Sequence, residues 1–172
     1  MKRLISLFLA MCVAICLCAC VPEKESYSSE YDGKEISKIE ASWSEGFAPF
    51  PCLYTRTFDF ESGIVTDTWV ADEEYLYGDE LEQYNNPEVI ATFTAEQGKE
   101  LIDKITALGF LTWEKQYITK DIIHDGGSKN VRVYFTDGVE KSTYIYFKYP
   151  ANYNKICEAF ENNFGVSMYL TW

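Results

Sequence analysis

Apolar and polar residues alternate along several stretches of the chain, and alternation at every second position is the pattern of a half-buried β-strand. Residues 36–43 predict one such strand. Residues 52–70 alternate on both sides of a Glu-Ser-Gly turn, which predicts a β-hairpin, although Arg56 interrupts its apolar side. Residues 130–149 predict a second hairpin around an Asp-Gly turn. Residues 88–93 are either a short strand or the approach to a helix.

Helical periodicity is present in two segments. Between residues 95 and 108, apolar side chains recur at three- and four-residue spacing and form one side of a helix. Thr94 and Gln97 have the spacing of a capping box, in which each side chain bonds the backbone of the other residue. A second helix is predicted to open at Pro150, whose fixed φ suits a first turn, and to end at Gly165.

The order of these elements predicts an α+β fold. Consecutive strands joined by tight turns form an antiparallel sheet built from hairpins. Two helices that each have one apolar side cover such a sheet most simply when both pack on one face. Residues 166–172 are a further candidate strand. The length suits a single domain, which we place at residues 36–172.

The N-terminus has the pattern of an export signal. Lys2 and Arg3 precede an uncharged apolar stretch at residues 4–17. This stretch is shorter than the roughly 20 residues that a membrane-spanning helix needs, and it is typical of a signal peptide. The sequence Leu-Cys-Ala-Cys, which ends at Cys20, resembles the lipobox of bacterial lipoproteins. The resemblance implies cleavage just before Cys20 and a diacylglyceryl group on its sulfur.

The lipobox resemblance also implies a location. Residues 1–19 would be the lipoprotein signal peptide. Residues 20–35 would be a lipidated flexible tether, because they are polar, charged and without periodicity. The domain is therefore expected at the cell membrane, held by its lipid anchor on the extracytoplasmic face. The formal charge of −12 argues against nucleic acid as a partner.

One internal stretch carries most of the excess negative charge. Residues 58–100 hold twelve acidic residues and one lysine, and the long connection at residues 71–87 combines acids with tyrosines. Loops of this length usually bind something or are disordered. A cationic partner, or a hard cation such as Ca²⁺, would offset the repulsion among the carboxylates; the alternative is a solvated loop that aids solubility. The candidate binding residues are Asp72, Glu73, Glu74, Tyr75, Tyr77, Asp79, Glu80, Glu82 and Tyr84.

The sequence contains none of the common local motifs for catalysis. His124 is the single histidine and lies between Asp121 and Asp125. A loop histidine is favoured there over a metal or catalytic site, because zinc sites use three or four ligands at familiar spacings. Three tyrosines on or near one predicted strand are either packed in the sheet or exposed to glycans or protein partners. They are Tyr144, Tyr146 and Tyr149.

Cys52 and Cys157 are the two cysteines outside the predicted signal and anchor. Strand parity and helical spacing point both side chains towards the core. An exported protein can form a disulfide, and a bridge that closes so long a loop would stabilise the fold by about 2–4 kcal/mol. Free cysteines are also among the most buried residues. Two buried thiols are therefore favoured here, with a disulfide as the alternative.

The arrangement of elements from about residue 47 to residue 164 looks like that of small extracytoplasmic domains of unknown function in Gram-positive lipoproteins. The shared elements are a hairpin, a helix ending in Leu-Gly-Phe, a second hairpin and Tyr-Pro before a last helix. The resemblance implies no catalytic residue. We therefore expect a non-enzymatic binding module without a cofactor, whose partner is an envelope protein or a glycan. The alternatives are a structural accessory of an envelope complex and a small enzyme or inhibitor directed at the cell wall.

Overall fold

The computed structural model describes residues 29–44, 52–71, 86–121 and 127–169. Within these residues the chain forms seven strands, two α-helices and one short 3₁₀ turn at Phe110–Thr112. The strands are β1 (Ile36–Ser44), β2 (Cys52–Asp59), β3 (Ile64–Ala71), β4 (Glu88–Thr92), β5 (Gln116–Ile118), β6 (Ser128–Phe135) and β7 (Glu140–Tyr146). The helices are α1 (Ala95–Ala107) and α2 (Tyr153–Phe164). The predicted α+β class is confirmed.

The strands form one sheet in the order β4-β3-β2-β1-β6-β7-β5. Neighbouring strands are antiparallel except β5 and β7, which run parallel. The prediction of a purely antiparallel sheet is therefore wrong at this edge. After β4, on one edge of the sheet, α1 returns the chain to the opposite edge, where β5 runs alongside β7. With only three residues, β5 is too short for alternation to predict it.

Both predicted hairpins are present. In the first, β2 and β3 pair so that Arg56 lies opposite Asp67. In the second, β6 and β7 pair around a tight turn. The predicted strand at residues 36–43 is β1, which joins the two hairpins by pairing with β2 on one side and β6 on the other. The stretch at residues 88–93, left open by the sequence, forms β4.

The junction between β4 and α1 is fixed by the first hairpin turn and by a helix cap. Gly63 has a φ of 68°, and a Cβ atom built on it would lie 2.4 Å from the carbonyl oxygen of Phe93. The Phe93 N–H donates to the Gly63 carbonyl at 2.8 Å. Thr94 and Gln97 form the predicted capping box, each side chain accepting a backbone N–H of the other residue. Glycine is required at this turn because any side chain would displace the start of α1.

The second helix begins later than the sequence predicts. α2 starts at Tyr153, after Asn152 with a φ of 60°, so Pro150 lies before the helix and not in its first turn. The Asn152 side chain donates instead to the carbonyl of Leu108 at 3.2 Å. Gly165 ends α2 in the left-handed conformation, as predicted. The predicted last strand at residues 166–172 is wrong for residues 166–169, which form bends and irregular backbone, and residues 170–172 lie outside the described residues.

One face of the sheet is buried beneath both helices. The ring centroids of Phe58 in β2 and Phe160 in α2 are 4.6 Å apart. Phe93 and Phe164 stack at 4.2 Å. Leu101 of α1 is fully buried in the same core cluster. The two helices therefore pack on the same face, as predicted, and a single core lies between them and the sheet.

We call the opposite face of the sheet the open face, since neither described helix covers it. Its described side chains are partly or fully exposed. They come from alternate positions on the strands. They are Lys38, Glu40, Ser42, Ser44, Leu53, Thr55, Thr57, Asp59, Ile64, Thr66, Thr68, Val89, Thr92, Gln116, Ile118, Ser128, Asn130, Arg132, Tyr134, Glu140, Ser142, Tyr144 and Tyr146.

The described part of the predicted tether, residues 29–35, lies against the domain. The Tyr31 ring stacks on Phe135 with centroids 5.2 Å apart. The Ser29 hydroxyl donates to the carbonyl of Leu111 at 2.9 Å. We call residues 29–35 the strap, because they pass along the end of the sheet before β1 begins. The strap contributes one wall of a cavity described below.

Candidate functional site

The nine candidate binding residues between positions 72 and 84 lie outside the described residues, as do Cys20 and His124. The backbone of Cys52 belongs to β2, but its side chain is also outside the description. The expectations about acidic binding, Ca²⁺ and lipidation therefore stay predictions. The candidate site that the structure brings together is on the open face.

The most regular feature of the open face is a row of neutral polar side chains, which we call the neutral row. It runs across six adjacent strands, one residue per strand. From β3 to β5 it consists of Thr68, Thr55, Ser42, Asn130, Tyr144 and Gln116. Neighbouring strands are about 4.8 Å apart, so the row extends over roughly 24 Å. Every member carries a hydroxyl or an amide, and none carries a charge.

Hydrogen bonds between strands hold parts of this surface in place. The hydroxyl oxygens of Ser42 and Thr55 are 2.9 Å apart. The Ser142 hydroxyl donates to the Asn130 side-chain oxygen at 3.0 Å. Hydroxyls can both donate and accept, and an amide offers two donors and one acceptor. The row can therefore form hydrogen bonds with a ligand that presents both donors and acceptors.

A compact charged cluster lies beside the neutral row. Lys38 pairs with Glu40 at 2.7 Å, and its ammonium lies 4.0 Å from the centroid of the Tyr134 ring. The Tyr134 hydroxyl donates to Glu40 at 2.7 Å and accepts from Arg132 at 3.0 Å. Partial burial, together with Glu40, raises the pKa of Tyr134, and Arg132 opposes this shift. The charges are therefore largely satisfied within the cluster, and Tyr134 remains a hydroxyl donor at neutral pH.

The β5 edge of the open face is apolar and aromatic. Tyr144 is 39% exposed, Ile118 is 45% exposed and Phe147 is 41% exposed. The rings of Tyr146 and Phe147 meet edge to face at 5.1 Å. Of the two arrangements that the sequence left open for the strand tyrosines, Tyr144 therefore adopts the exposed one. An exposed aromatic ring next to hydroxyls offers both an apolar surface and a hydrogen bond.

A second cluster lies on the covered face of the sheet, around Lys129 at the start of β6. Its ammonium donates to the Tyr153 hydroxyl at 3.1 Å and lies 4.6 Å from the centroid of Tyr169 and 5.7 Å from that of Tyr149. Burial lowers the pKa of Lys129, and the nearby Cys157 opposes this shift. Within the described ranges, no carboxylate pairs with this lysine. The aromatic rings therefore compensate its charge through cation–π contacts.

The Cys157 side chain is half-buried beside this cluster and forms no disulfide with any side chain that the structure describes. Burial raises the pKa of Cys157, although a hydrogen bond with Tyr153 and the charge of Lys129 act in the opposite direction. A raised pKa leaves little thiolate at neutral pH, so the thiol is a poor nucleophile. Its position on the apolar side of α2 agrees with the helical spacing in the sequence.

Sequence reasoning missed the neutral row, the half-buried Lys129 and the buried Lys141. Alternation could have identified which residues of one strand share a face, but the row also requires the order of the strands. Lys129 lies just before the predicted start of the second hairpin at residue 130, so the strand pattern does not assign it to a face. Lys141 lies on the buried side of β7. The sequence signal for it was a charged residue at one of the alternate strand positions that otherwise face the core.

None of the helices in the described residues is long and apolar enough to span a membrane. In those residues, no group of three or more His, Cys, Asp or Glu side chains is arranged to hold a metal ion.

The chain was also compared with known proteins. No protein-family model matches it, and no match was found among curated proteins or among solved structures. The resemblance to small lipoprotein domains therefore stays a prediction.

Proposed function

We propose that this protein is a lipid-anchored, non-enzymatic binding module on the extracytoplasmic face of the membrane, and that it binds a neutral glycan of the cell envelope along the neutral row. The observation that carries the proposal is this row, six uncharged hydroxyl and amide side chains across six adjacent strands. The proposed anchor is Cys20, on the basis of its lipobox resemblance.

The chemistry of the row favours a glycan over a protein partner. Sugars present many hydroxyls, which donate and accept hydrogen bonds as the side chains of the row do. Their rings also have apolar faces that can stack on an exposed aromatic ring such as Tyr144. The centre of a protein–protein interface, by contrast, is enriched in apolar and aromatic groups. On the open face, the exposed apolar residues Ile118 and Val89 lie on the two edge strands, and Leu53 lies at the start of β2.

The charge pattern favours a neutral glycan. The chain carries 27 acidic and 15 basic residues, so an anionic polymer would be repelled at long range. Within the open face, Glu40 is already paired with Lys38 and Tyr134. The neutral row itself offers no charge to attract an ion. Recognition would therefore depend on hydrogen bonds and ring stacking.

Anchoring is tested by replacing Cys20→Ser. The wild-type protein is expected in the membrane fraction, and the variant is expected in the soluble fraction or the medium, because it lacks the sulfur that would carry the lipid. Metabolic labelling with a palmitate analogue provides the control, since wild-type protein should incorporate label and the variant should not. A wild-type protein that incorporates no label, or a variant that incorporates as much label as the wild type, would refute the anchor, without bearing on the neutral row.

Glycan binding is tested by sedimentation of the full-length Cys20→Ser protein with cell-wall material stripped of protein. We expect co-sedimentation that is lost after enzymatic hydrolysis of the glycan. Tyr144→Ala should weaken binding by about five- to thirtyfold, since an exposed tyrosine that a ligand covers commonly contributes about 1–2 kcal/mol. Tyr144→Phe keeps the ring and should retain most of the binding. Val139→Ala, in the turn between β6 and β7, is the control outside the face.

Two results would contradict the glycan proposal. One is co-sedimentation with untreated envelopes that survives glycan hydrolysis but is lost after protease treatment, which would identify a protein partner. The other is equal binding by Tyr144→Ala and Val139→Ala. A charge at the centre of the row gives a further check: Asn130→Asp is nearly isosteric, and it should weaken binding to a neutral glycan by removing the amide donors.

A further inference from the structure

A cavity of about 580 Å³ lies at the edge of β7, between the strap and the segment that leads into β5. It exists because β5 pairs only with the second half of β7, beginning opposite Tyr144. The Tyr144 N–H donates to the carbonyl of Lys115 at 3.0 Å. Peptide groups along a strand alternate in direction, so the Ser142 N–H points to the same edge, beyond the paired segment. Ser142 lines the cavity.

The floor of the cavity holds a buried lysine. Lys141 is only 9% exposed, and its ammonium donates to the carbonyl of Trp113 at 2.5 Å. It lies 5.2 Å from the centroid of the Tyr31 ring in the strap. Across the described ranges, no carboxylate lies within ion-pair distance of it. Burial lowers the pKa of Lys141, and the negative charge of Glu30 opposes this shift in part.

A buried ammonium with one carbonyl and one aromatic ring as partners is incompletely compensated. An ammonium has three N–H donors, and a buried charge is costly unless it is paired and hydrogen-bonded. A ligand carboxylate in the cavity would supply the missing charge. The Ser142 N–H, at the same edge, is a second donor for that carboxylate.

The rim of the cavity has the opposite character. Glu30, Glu114 and Glu140 line it and are exposed, whereas Lys115 is the basic residue at the rim. A ligand with only negative charge would be repelled by the three glutamates. A ligand that also carries an ammonium group would be complementary to both the floor and the rim.

We propose that this cavity binds a small zwitterion of the amino-acid class, with its carboxylate on Lys141 and the Ser142 N–H and its ammonium among the rim glutamates. The Tyr31 ring in the strap forms an apolar wall for the ligand side chain. This site is separate from the neutral row and does not rest on the glycan proposal.

The test uses the free amino acids as probes. Each would be added at millimolar concentration to the full-length Cys20→Ser protein, and the change in melting temperature would be measured. At least one amino acid is expected to raise it. Calorimetric titration would then compare the best binder with its deaminated analogue, which keeps the carboxylate, and its decarboxylated analogue, which keeps the amine. Both analogues should bind at least about tenfold more weakly, because each lacks one of the two charged contacts.

Substitutions at single residues test which side chains bind the carboxylate and the ammonium of the ligand. Lys141→Met keeps an apolar chain of similar length and should weaken binding of the amino acid about tenfold or more. Glu140→Gln changes an exposed residue, leaves the fold intact and should weaken binding of the amino acid and of the decarboxylated analogue. Lys129→Met is the matched control, since this lysine is also partly buried among tyrosines but does not line the cavity. It should bind as the wild type does.

Three outcomes would overturn the proposal. The first is that no amino acid raises the melting temperature. The second is that the deaminated analogue binds as tightly as the amino acid, which would show a simple anion site. The third is that folded Lys141→Met binds as well as the Lys129→Met control. If Lys141→Met fails to fold, the Glu140→Gln variant and the two analogues still decide between the outcomes.

Discussion

The buried ion pair between Arg56 and Asp67 allows a quantitative prediction. The two side chains form a bidentate pair, with both N–O distances 2.7 Å. The remaining arginine nitrogen donates to the carbonyl of Ser167 at 2.5 Å. Arg56 is 4% exposed and Asp67 is 9% exposed. Removing one partner leaves a buried charge without its counter-ion, which typically costs about 3–5 kcal/mol.

Asp67→Ala and Arg56→Met should therefore each lower the free energy of unfolding by about 3–5 kcal/mol. The double variant Arg56→Met/Asp67→Val places two apolar residues at these opposed strand positions and leaves no unpaired charge. Its largest remaining cost is the lost donor to the Ser167 carbonyl, about 1–3 kcal/mol. The double variant should thus be more stable than either single variant, with a coupling energy of at least about 2 kcal/mol.

Urea unfolding of the full-length chain, followed by circular dichroism and tryptophan fluorescence, measures these energies. The two probes should give coincident transitions, because the comparison requires two-state behaviour. Single variants that each cost less than about 1 kcal/mol would show that the pair is not effectively buried. Effects that add within about 0.5 kcal/mol would show that the two side chains are not coupled. Either result would refute the reasoning.

Two further predictions concern a turn and a thiol. Gly63→Ala should destabilise the fold by about 1–3 kcal/mol more than Gly138→Ala. Both glycines have a positive φ, but only a Cβ atom at position 63 would clash with a neighbour, the Phe93 carbonyl. Equal denaturation midpoints for the two variants would contradict this prediction. Cys157 should react with iodoacetamide at pH 8 several-fold more slowly in the folded Cys52→Ser protein than in the same protein unfolded in urea, because burial raises its pKa. Peptide-level mass spectrometry measures the rates, and equal rates would show an accessible thiol. A disulfide between Cys52 and Cys157 would give a different result in the wild-type protein without reductant. Neither cysteine would take up iodoacetamide, and the mass of the protein would be lower by two hydrogens.

The local elements were predictable because each depends on neighbouring residues. The capping box at Thr94 fixes the start of α1, and the Glu-Ser-Gly turn fixes the first hairpin. The register of the first hairpin explains Arg56, but the predicted turn does not give that register. The connection occupies residues 60–63, so Asp59 pairs with Ile64 and Asp67 lies opposite Arg56. The three-residue turn predicted at 61–63 would have placed Thr68 there. Lys141, like Arg56, is a charged residue at an alternate strand position that otherwise faces the core. In both cases the charge is accommodated by partners that alternation does not reveal.

The remaining features depend on contacts between distant residues. β5 has three residues, and the main-chain edge of β7 determines its position. α2 begins only after Asn152, whose φ of 60° is not helical and whose side chain donates to the distant Leu108 carbonyl. The neutral row requires β1 to pair with β6, and Ser42 and its partner Asn130 are far apart in the chain. No local pattern specifies that pairing.

The position of β1 at the centre of the sheet has a consequence for folding. β1 pairs with β2 through a short connection, but its pairing with β6 closes a loop from Ser44 to Ser128. Pairing two strands across a long loop slows folding, because the loop loses conformational entropy before the new contacts stabilise it. The β2–β3 and β6–β7 hairpins can form locally, whereas the sheet is completed only when β6 docks on β1.

Until the C-terminal half of the chain is available, β1 presents an unpaired edge, and such edges promote aggregation. Fragments that end after α1 are therefore expected to be insoluble, even though they contain more than half of the sheet.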